Sequence, residues 1–426
     1  MNTLLEFLSL SDPNVRMVVL GVTLLGAGAG LVGVFTLLRK RALLGDAVAH
    51  SILPGVCLAF LAGGTKQPFI LLLGALVAGW LSLLSIDYLV RHTKLKADGV
   101  IGLVLSVFFG LGIWLLTGIQ QSGMAGQSGL DKFLFGKAAS VTGQDVALFA
   151  WVTGALALIV LVFYKGFKLL AFDADFARSA GIPVRLLEFL LSTITVLAIA
   201  VGIQAVGVVL MASLLIAPAA AARFWTDRLS VMLVLAAVTG VIAAWTGAWV
   251  SYTAPSMPTG PWIVVALAII TGISLLWAPK RGVWARWLHQ RAYARKIAME
   301  NVLKALFQME EGGSEGREHS RVEILHHREI ETSQLTGALK RLKRSHWIEE
   351  TGEGWLLTAE GRDMARQVVR RHRLWELYLH QRLNLPADHV HAGAEAMEHL
   401  LTPELEEALQ HDLGFPAKDP HQSPIP

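Results

Sequence analysis

The stretch VFTLLRKRALLGDAVAHSILPGVCLAF, residues 34–60, joins two strongly apolar runs through a short basic link. The first run ends at Leu38, the link is Arg39–Lys40–Arg41, and the second run carries Asp46 and His50. Runs of this kind predict helices that cross a membrane, and the basic link predicts a cytoplasmic turn. Because residues i and i+4 share a helix face, Asp46 and His50 are expected about one turn apart on one face.

The composition of the whole chain extends this interpretation. Its 426 residues are 54% hydrophobic and 16% charged, which is too apolar for one ordinary soluble domain. Before Pro279 there are 27 charged residues and from there on 43, and 12 of the 14 histidines lie beyond Trp287. The chain is therefore expected to divide into a membrane part and a polar part. Its single cysteine, Cys57, excludes an internal disulfide and a zinc cluster built from cysteines.

The membrane part is predicted to be an all-α polytopic domain over residues 1–280 with eight or nine transmembrane helices. The count is open because Gly202, Gln204 and Gly207 interrupt the run 186–222. With nine spans, the basic clusters and the C-terminal part face the cytoplasm. The glycine-rich residues 118–142 predict an external loop. Residues 1–13 lack the pattern of a signal peptide, so the first apolar segment is expected to stay in the membrane. The candidate spans are 17–38, 47–64, 69–90, 98–117, 145–164, 186–203, 207–222, 229–251 and 261–278.

The acid in the second of these spans suggests a function. A carboxylate within a membrane is unfavourable unless it faces a partner or a water-filled cavity, and Asp46 has the His50 imidazole beside it. A carboxylate oxygen with a neutral imidazole nitrogen suits a divalent cation in transit, which must bind loosely enough to leave. The alternative is that Asp46 is an acid at the start of a helix near the membrane interface.

Between the fifth and sixth spans lies FDADFARSAGIPVRLLEF, residues 172–189. It begins with acids, has a short amphipathic centre and closes with Gly181 and Pro183. This pattern predicts a short helix outside the bilayer. On composition alone, a simple connector is the alternative.

The polar third is predicted to contain three segments. A basic amphipathic linker over 281–299 is suited to a membrane surface. Three helical patterns and a hairpin with Gly352 and Gly354 at its turn predict a winged helix-turn-helix over 300–364. Its third helix offers four basic side chains for DNA phosphates, although a solvated basic face is the alternative. These side chains are Lys340, Arg341, Lys343 and Arg344.

The last segment, 365–426, repeats a pattern of histidine and glutamate. His372 and Glu376 are four residues apart, and four further His and Glu residues follow at helical spacing. On two neighbouring helices, these side chains form either a carboxylate–imidazole metal site or a salt-bridged surface. The four are His391, Glu395, Glu398 and His399.

The membrane part resembles the permease subunits of bacterial ABC importers for manganese, zinc or iron. The resemblance covers roughly residues 5–285 and rests on residues 34–60 and 172–191 together with three further motifs in the expected order. These motifs are LDKFLFGKAASVT (130–142), GIQAVGVVLMASLLIAPAAAARFWTDRL (202–229) and MPTGPWIVVALA (257–268).

The resemblance implies that Asp46 and His50 form the translocation site. It also implies that residues around 172–183 form the coupling helix on the ATPase, with Phe172, Asp173, Phe176, Ala177 and Gly181 as its key positions.

The implied partners are a second permease subunit in a homodimer or heterodimer, an external metal-capturing lipoprotein and a separate cytoplasmic ATPase. The location is the bacterial inner membrane, with the C-terminal domain in the cytoplasm. The sequence contains no G-x-x-x-x-G-K-[S/T] motif, so this chain is expected to bind no nucleotide and to leave ATP hydrolysis to the ATPase.

Residues 296–426 resemble the diphtheria-toxin-repressor family of metal-dependent regulators, down to the ending GFPAKDPHQSPIP. By this resemblance, the six His and Glu residues named above fall on the family's ligand positions. Glu395 replaces a sulfur-bearing residue, which favours Mn²⁺ over softer ions, with Zn²⁺ or Fe²⁺ as alternatives. In the first helix, Asn301 and Lys304 stand where the manganese branch has acids, and Lys304 is expected to repel a cation.

Two functions follow from the fusion. In the first, a metal importer permease carries a cytoplasmic dimerisation and metal-reporting domain. In the second, a membrane-tethered regulator still binds operator DNA. A domain that only dimerises the permease is a third possibility.

Overall fold

A computed structural model of the protein describes residues 2–64, 67–122, 136, 141–253, 257–311, 316–328, 330–352 and 354–426. The chain divides into two compact units, Met1–Arg286 and Trp287–Pro426, which are described separately. The first is called the membrane unit and the second the C-terminal unit. Most of the predicted external loop 118–142 lies outside the described residues.

All regular secondary structure in the described ranges of the membrane unit is helical. Its helices, in chain order, are α1 (Asn2–Ser9), α2 (Pro13–Leu38), α3 (Ala42–Ser51), α4 (Leu53–Gly63), α5 (Pro68–His92), α6 (Ala97–Gln121), α7 (Gly143–Val162), α8 (Tyr164–Phe172), α9 (Ala174–Ser179), α10 (Val184–Val206), α11 (Val208–Trp225), α12 (Leu229–Thr253) and α13 (Thr259–Trp277).

Within the described ranges, eight helical segments are long and apolar enough to span a membrane, and a shorter apolar helix lies at Leu210–Trp225. The open part of the prediction, 186–222, forms two helices separated at Gly207. This glycine adopts a φ of +85°, which residues with a Cβ rarely tolerate. The predicted all-α membrane architecture is confirmed.

Contacts between helices give the direction of the chain through this unit. Helix α2 runs antiparallel to α12, because a Cβ on Gly26 would meet Gly240 and a Cβ on Gly30 would meet Ala236. The end of α2 therefore lies beside the start of α12. The start of α10 lies at the same side, because Arg39 donates to Glu188 at 2.6 Å. Helices α10 and α11 thus run in opposite directions, so the shorter apolar helix Leu210–Trp225 leads back to the side at which α10 begins.

The predicted second span is broken in its middle. Helix α3 ends at Ser51 and α4 begins at Leu53, so Ile52 caps both. Pro54 has no N–H with which to serve the carbonyl of His50 four residues earlier, so it weakens the helix at this point. The break therefore follows directly after the predicted translocation residues.

The helices of this unit approach closely where glycines replace larger residues. A Cβ on Gly33 of α2 would lie 1.8 Å from the carbonyl oxygen of Leu215 on α11. A Cβ on Gly55 would lie 2.1 Å from the carbonyl oxygen of Gly74, across α4 and α5. Small residues that allow backbones to approach are a typical means of helix association in membranes.

The C-terminal unit is mostly helical with one small sheet. Its elements are α14 (Val283–Glu311), α15 (Arg321–His327), α16 (Thr332–Arg344), β1 (Ile348–Glu350), β2 (Trp355–Leu357), α17 (Ala359–Leu383), α18 (His391–Met397) and α19 (Pro403–Asp412), with short 3₁₀ turns at Ala387–His389 and Glu398–Leu400. Helix α14 begins within the membrane unit, and the segment predicted as a linker forms its first part.

The predicted winged-helix pattern is present in this unit. Strands β1 and β2 pair antiparallel, with Ile348 opposite Leu357, after the three helices α14, α15 and α16. Val302, Leu306, Leu339 and Val369 bury their side chains in a common core. This core holds the part of α14 that follows Glu300 against α16 and α17. It thereby fixes the positions of the polar side chains on these helices.

We expect Gly33→Ala to destabilise the membrane unit by about 1–3 kcal/mol, because the added methyl group overpacks α2 against the α11 backbone. Thermal unfolding in detergent measures this effect. Gly102→Ala is the matched control, since a Cβ at that helical glycine has no described neighbour within 4 Å. Equal unfolding temperatures for the two variants would contradict the packing.

Candidate metal sites

Asp46 and His50 lie on α3 and face each other. Asp46 Oδ1 is 3.6 Å from His50 Nε2, as the i, i+4 spacing leads one to expect. The His50 side chain is 22% exposed and that of Asp46 is 47% exposed in the isolated chain. The pair therefore remains reachable by an ion or by a second subunit.

The surroundings of His50 hold its ring in place. The ring packs edge-on against Phe109 of α6, with 5.0 Å between the ring centroids. Its second nitrogen, Nδ1, is buried and has no hydrogen-bond partner among the described residues. Buried polar atoms are rarely left without a partner, so this imidazole has unused capacity to bind a proton or a ligand.

These two groups can supply one oxygen and one nitrogen to a divalent cation. Two donors fall short of the coordination that such ions prefer, so water or another chain would have to complete the shell. A partial site suits an ion that must also leave.

The predicted coupling segment forms α8, a sharp turn and α9. The Asp173 carboxylate caps α9 by accepting from the Phe176 N–H at 2.8 Å. Ala177 is fully buried, while Phe172 and Phe176 each leave 57% of their surface exposed. Gly181, with a φ of +76°, ends the segment. The turn is therefore anchored from within and presents two aromatic side chains outward.

In the C-terminal unit, three of the predicted ligands come together between α17 and α18. One donor atom from each of His372, Glu376 and His391 lies within 4.8 Å of the others. His372 Nε2 is 3.1 Å from Glu376 Oε1, and His391 Nδ1 donates to the same oxygen. His372 and Glu376 are buried, whereas His391 is 61% exposed and borders a cleft of about 970 Å³. The cluster is thus anchored on one side and open on the other.

This cluster fits a divalent metal. Two imidazoles and one carboxylate form a common donor set for transition metals. His372 Nε2 is buried and lies 3.1 Å from Glu376 Oε1 but makes no hydrogen bond with the described residues, so it is free to coordinate. An ion here would replace histidine protons as the counter-charge of Glu376.

In the absence of an ion, the protons of His372 and His391 provide the counter-charge of Glu376. Burial alone would raise the pKa of Glu376, but the close contact with His372, the hydrogen bond from His391 and the charge of both imidazoles outweigh it and lower the pKa to about 2. Burial would likewise lower the pKa of His372, yet its close contacts with the Glu376 and Glu398 carboxylates raise it. The carboxylates therefore favour a cationic partner at this position.

The other three predicted ligands do not join the cluster. Glu398 and His399 lie in the 3₁₀ turn after α18 and are buried, and Glu395 remains on α18. Glu398 accepts from His372 Nδ1 and from Lys304, while His399 Nδ1 donates to Glu300 at 2.5 Å. Each of these groups has a protein partner.

Lys304 was expected to repel a cation, and its own ammonium group lies where a cation bound to Glu398 would lie. Its Nζ donates to both carboxylate oxygens of Glu398, at 3.0 and 3.3 Å, and its side chain is 1% exposed. Burial lowers its pKa to about 8 against the opposing charge of Glu398, so it remains mostly protonated at neutral pH.

Sequence reasoning missed two residues of this region. Arg328 contacts Glu395 and donates to the Asn301 side chain at 2.8 Å, and Glu300 pairs with His399. Neither belongs to a recognisable ligand pattern. Only their charge, opposite to that of their distant partners, could have indicated them.

The basic side chains predicted for DNA contact lie on the last turns of α16. Lys340, Lys343 and Arg344 are exposed and Arg341 is half-buried. Lys343 donates to Glu350 on β1 at 2.6 Å. One of the four is therefore already engaged by the wing.

Comparisons with known proteins place this geometry in context. The model of the ABC 3 transport family matches residues 11–278. A second family model, described as "Iron dependent repressor, metal binding and dimerisation domain", matches residues 358–426.

Two relatives and one solved structure resemble the chain closely. The manganese transport system membrane protein MntC of Bacillus subtilis (strain 168) is 42% identical over 381 residues, which are 89% of this chain and 87% of that protein. The zinc transport system membrane protein TroC of Treponema pallidum (strain Nichols) is 45% identical over 282 residues, 66% of this chain and 95% of that protein. The structure of PsaBC from Streptococcus pneumoniae in complex with Fab has a TM-score of 0.60 at 30% identity, and covers 68% of this chain and 99% of that chain.

We expect His391→Ala to weaken binding of Mn²⁺ or Co²⁺ by the full chain by at least roughly tenfold, because it removes the accessible donor of the cluster. Titration of the purified protein in detergent measures the change. His389→Ala is the control, since that side chain is 72% exposed and points to Asp388. Binding at Asp46 and His50 is common to both variants. Unchanged affinity in His391→Ala would exclude the cluster as a metal site.

Proposed function

Because the chain belongs to the ABC 3 transport family, we propose that it is the permease subunit of an ABC importer that carries a divalent transition metal inward. Mn²⁺ is the favoured substrate, and Zn²⁺ and Fe²⁺ are alternatives. One relative is named for manganese transport and matches 89% of this chain, and another is named for zinc transport and matches 66%. The protein is a multi-pass membrane protein.

The observation that carries the proposal is the Asp46–His50 pair on α3. It brings a carboxylate and an imidazole together inside an apolar helix, and one buried nitrogen of the imidazole has no hydrogen-bond partner within the described ranges. A structural salt bridge would satisfy both groups within the chain, whereas this pair leaves donor capacity unused. Such a pair provides a brief binding position for a doubly charged ion.

Movement of the ion requires two permease subunits and an energy source. We propose that a second permease, identical or related, completes the coordination shell and the pathway. An external lipoprotein delivers the ion. A cytoplasmic ATPase switches the pair between outward and inward openings, and contacts the permease through the segment of α8 and α9.

The basic ends of the helices support the orientation. Arg39 and the start of α10 share one side of the membrane unit, and the start of α12 lies there too. By the positive-inside rule, this side faces the cytoplasm of a bacterial inner membrane. We propose that α11 also crosses the membrane, so that nine crossings bring the C-terminal unit to the cytoplasm, where it meets the imported ion.

The C-terminal unit is proposed to dimerise and to report the metal concentration. An ion at His372, Glu376 and His391 can inhibit transport only if it binds one transporter state better than another, since linkage is reciprocal. We favour this role over that of a tethered DNA-binding regulator, because Lys343 of the basic group is engaged by Glu350 of the wing.

We expect Asp46→Ala or His50→Ala to abolish metal uptake while assembly with the ATPase remains intact, because each removes one of the two donors in the pathway. Accumulation of Mn²⁺, Zn²⁺ and Fe²⁺ in cells that carry the complete importer measures this. Asp98→Ala and His92→Ala are matched controls at exposed positions. Wild-type uptake by both site variants would remove the pair from the pathway.

We expect Phe176→Ala to lower uptake several-fold while the assembled ATPase still hydrolyses ATP, because the exposed ring transmits movement between subunits. Uptake and ATP hydrolysis are measured on the same reconstituted complex. Phe69→Ala is the control: its ring is 65% exposed at the start of α5, on the predicted external side. An equal loss of uptake in both variants would argue against a coupling role.

A further inference from the structure

Lys304 is the most deeply buried ammonium group in the described part of the C-terminal unit. Its side chain and that of Glu398 are each 1% exposed, and the ammonium contacts both carboxylate oxygens. Glu398 also accepts from His372, a member of the three-residue metal cluster. The lysine thus occupies a cation position directly beside that cluster.

Two further contacts join α14 to the turns around α18. His399 donates to Glu300, one turn before Lys304. Arg328 connects Asn301 with Glu395 by donating to both side chains. Together with Lys304–Glu398, these contacts form what we call the α14 joint. Every acid of this joint is neutralised by a side chain of the protein.

A metal ion that contacted Glu398 would have to displace the ammonium or lie beside it. Displacement would leave a buried charge without a partner, which is strongly unfavourable. Coexistence would place a doubly charged ion next to a positive charge in a region with little water to screen it. The ligand positions that resemblance implies around Glu395, Glu398 and His399 are therefore unsuitable for an ion in this chain.

We propose that Lys304 is a built-in cation that replaces a metal ion at Glu398. The α14 joint is then closed with or without metal, and the C-terminal unit binds a single divalent ion, at His372, Glu376 and His391. The identity of that ion as Mn²⁺ rests on the proposed function.

The consequence is a separation of roles. Helix α14, which begins next to the membrane unit in sequence, keeps its place against the α18 region when metal is lost. A metal response is confined to α17 and α18, where the cluster lies. Because Lys304 stands in place of a metal ligand, the α14 joint stays closed whether or not a metal ion is bound.

The test uses the full chain in lipid nanodiscs, with Asp46→Ala and His50→Ala as a common background that silences the membrane site. Equilibrium dialysis with Mn²⁺ counts ions per chain. Hydrogen–deuterium exchange of peptides from 296–311 reports on α14 with and without Mn²⁺. Neither readout depends on transport, so failure of the uptake predictions would leave these results unaffected.

In the Lys304 wild type we expect one ion per chain and equal protection of α14 in both conditions. Lys304→Glu should bind a second ion, and its α14 should lose protection roughly tenfold without Mn²⁺ and regain it with Mn²⁺. Lys304→Met, which keeps the length without the charge, should lose protection in both conditions. Lys418→Glu is the control at an exposed lysine and should behave as wild type.

Two ions in the Lys304 wild type, or α14 protection that rises with Mn²⁺, would overturn the proposal without reference to any variant. A Lys304→Glu chain that binds one ion and stays protected without metal would overturn it as well.

Discussion

A charge removed from water must have a counter-charge or a ligand beside it, and this constraint shapes both units of the protein. In the membrane unit, Asp46 lies in an apolar helix with His50 as its neighbour, and one buried nitrogen of that imidazole has no hydrogen-bond partner in the part of the chain that the structure describes. In the C-terminal unit, Glu376 and Glu398 are almost wholly buried and are surrounded by imidazole and ammonium groups. The two units differ in how completely the protein itself supplies partners for these charged groups.

In the proposed function, that difference separates a site that releases its ion during transport from a site that retains it. A site with two donors and an open shell binds an ion weakly enough to release it, which a translocation pathway requires. The cluster of His372, Glu376 and His391 offers three donors on packed helices, which suits an ion that stays bound. The α14 joint is satisfied by Lys304 and Arg328 and needs no ion. In the function and the inference proposed above, one chain thus contains a transient site, a resident site and a site closed by its own side chain.

Backbone packing positions all three. In the membrane unit, Gly26, Gly30 and Gly33 let α2 approach α12 and α11 within distances that a methyl group would prevent. This close contact orients the bundle through which α3 presents Asp46. In the C-terminal unit, the apolar core beneath α14 and α17 fixes the separation between Lys304 and His372. Rigid packing of this kind holds ligands in place without help from the ion.

The sequence by itself determined the features that depend on neighbours along the chain. Apolar length predicted the membrane helices, and the i, i+4 spacing predicted that Asp46 faces His50 and that His372 faces Glu376. The wing followed from its two glycines between apolar strands. Each of these depends on local periodicity, which the order of residues states directly.

Only the tertiary structure decided how the six candidate ligands are divided. Glu395, Glu398 and His399 bind partners that lie 67, 94 and 99 residues away in sequence. Helical spacing shows which side chains share a face, but not which distant charge packs against that face. The sequence indicated that Lys304 would oppose a cation. The fold showed that Lys304 is itself the cation beside Glu398, because the core brings its ammonium group to that carboxylate and excludes water from both.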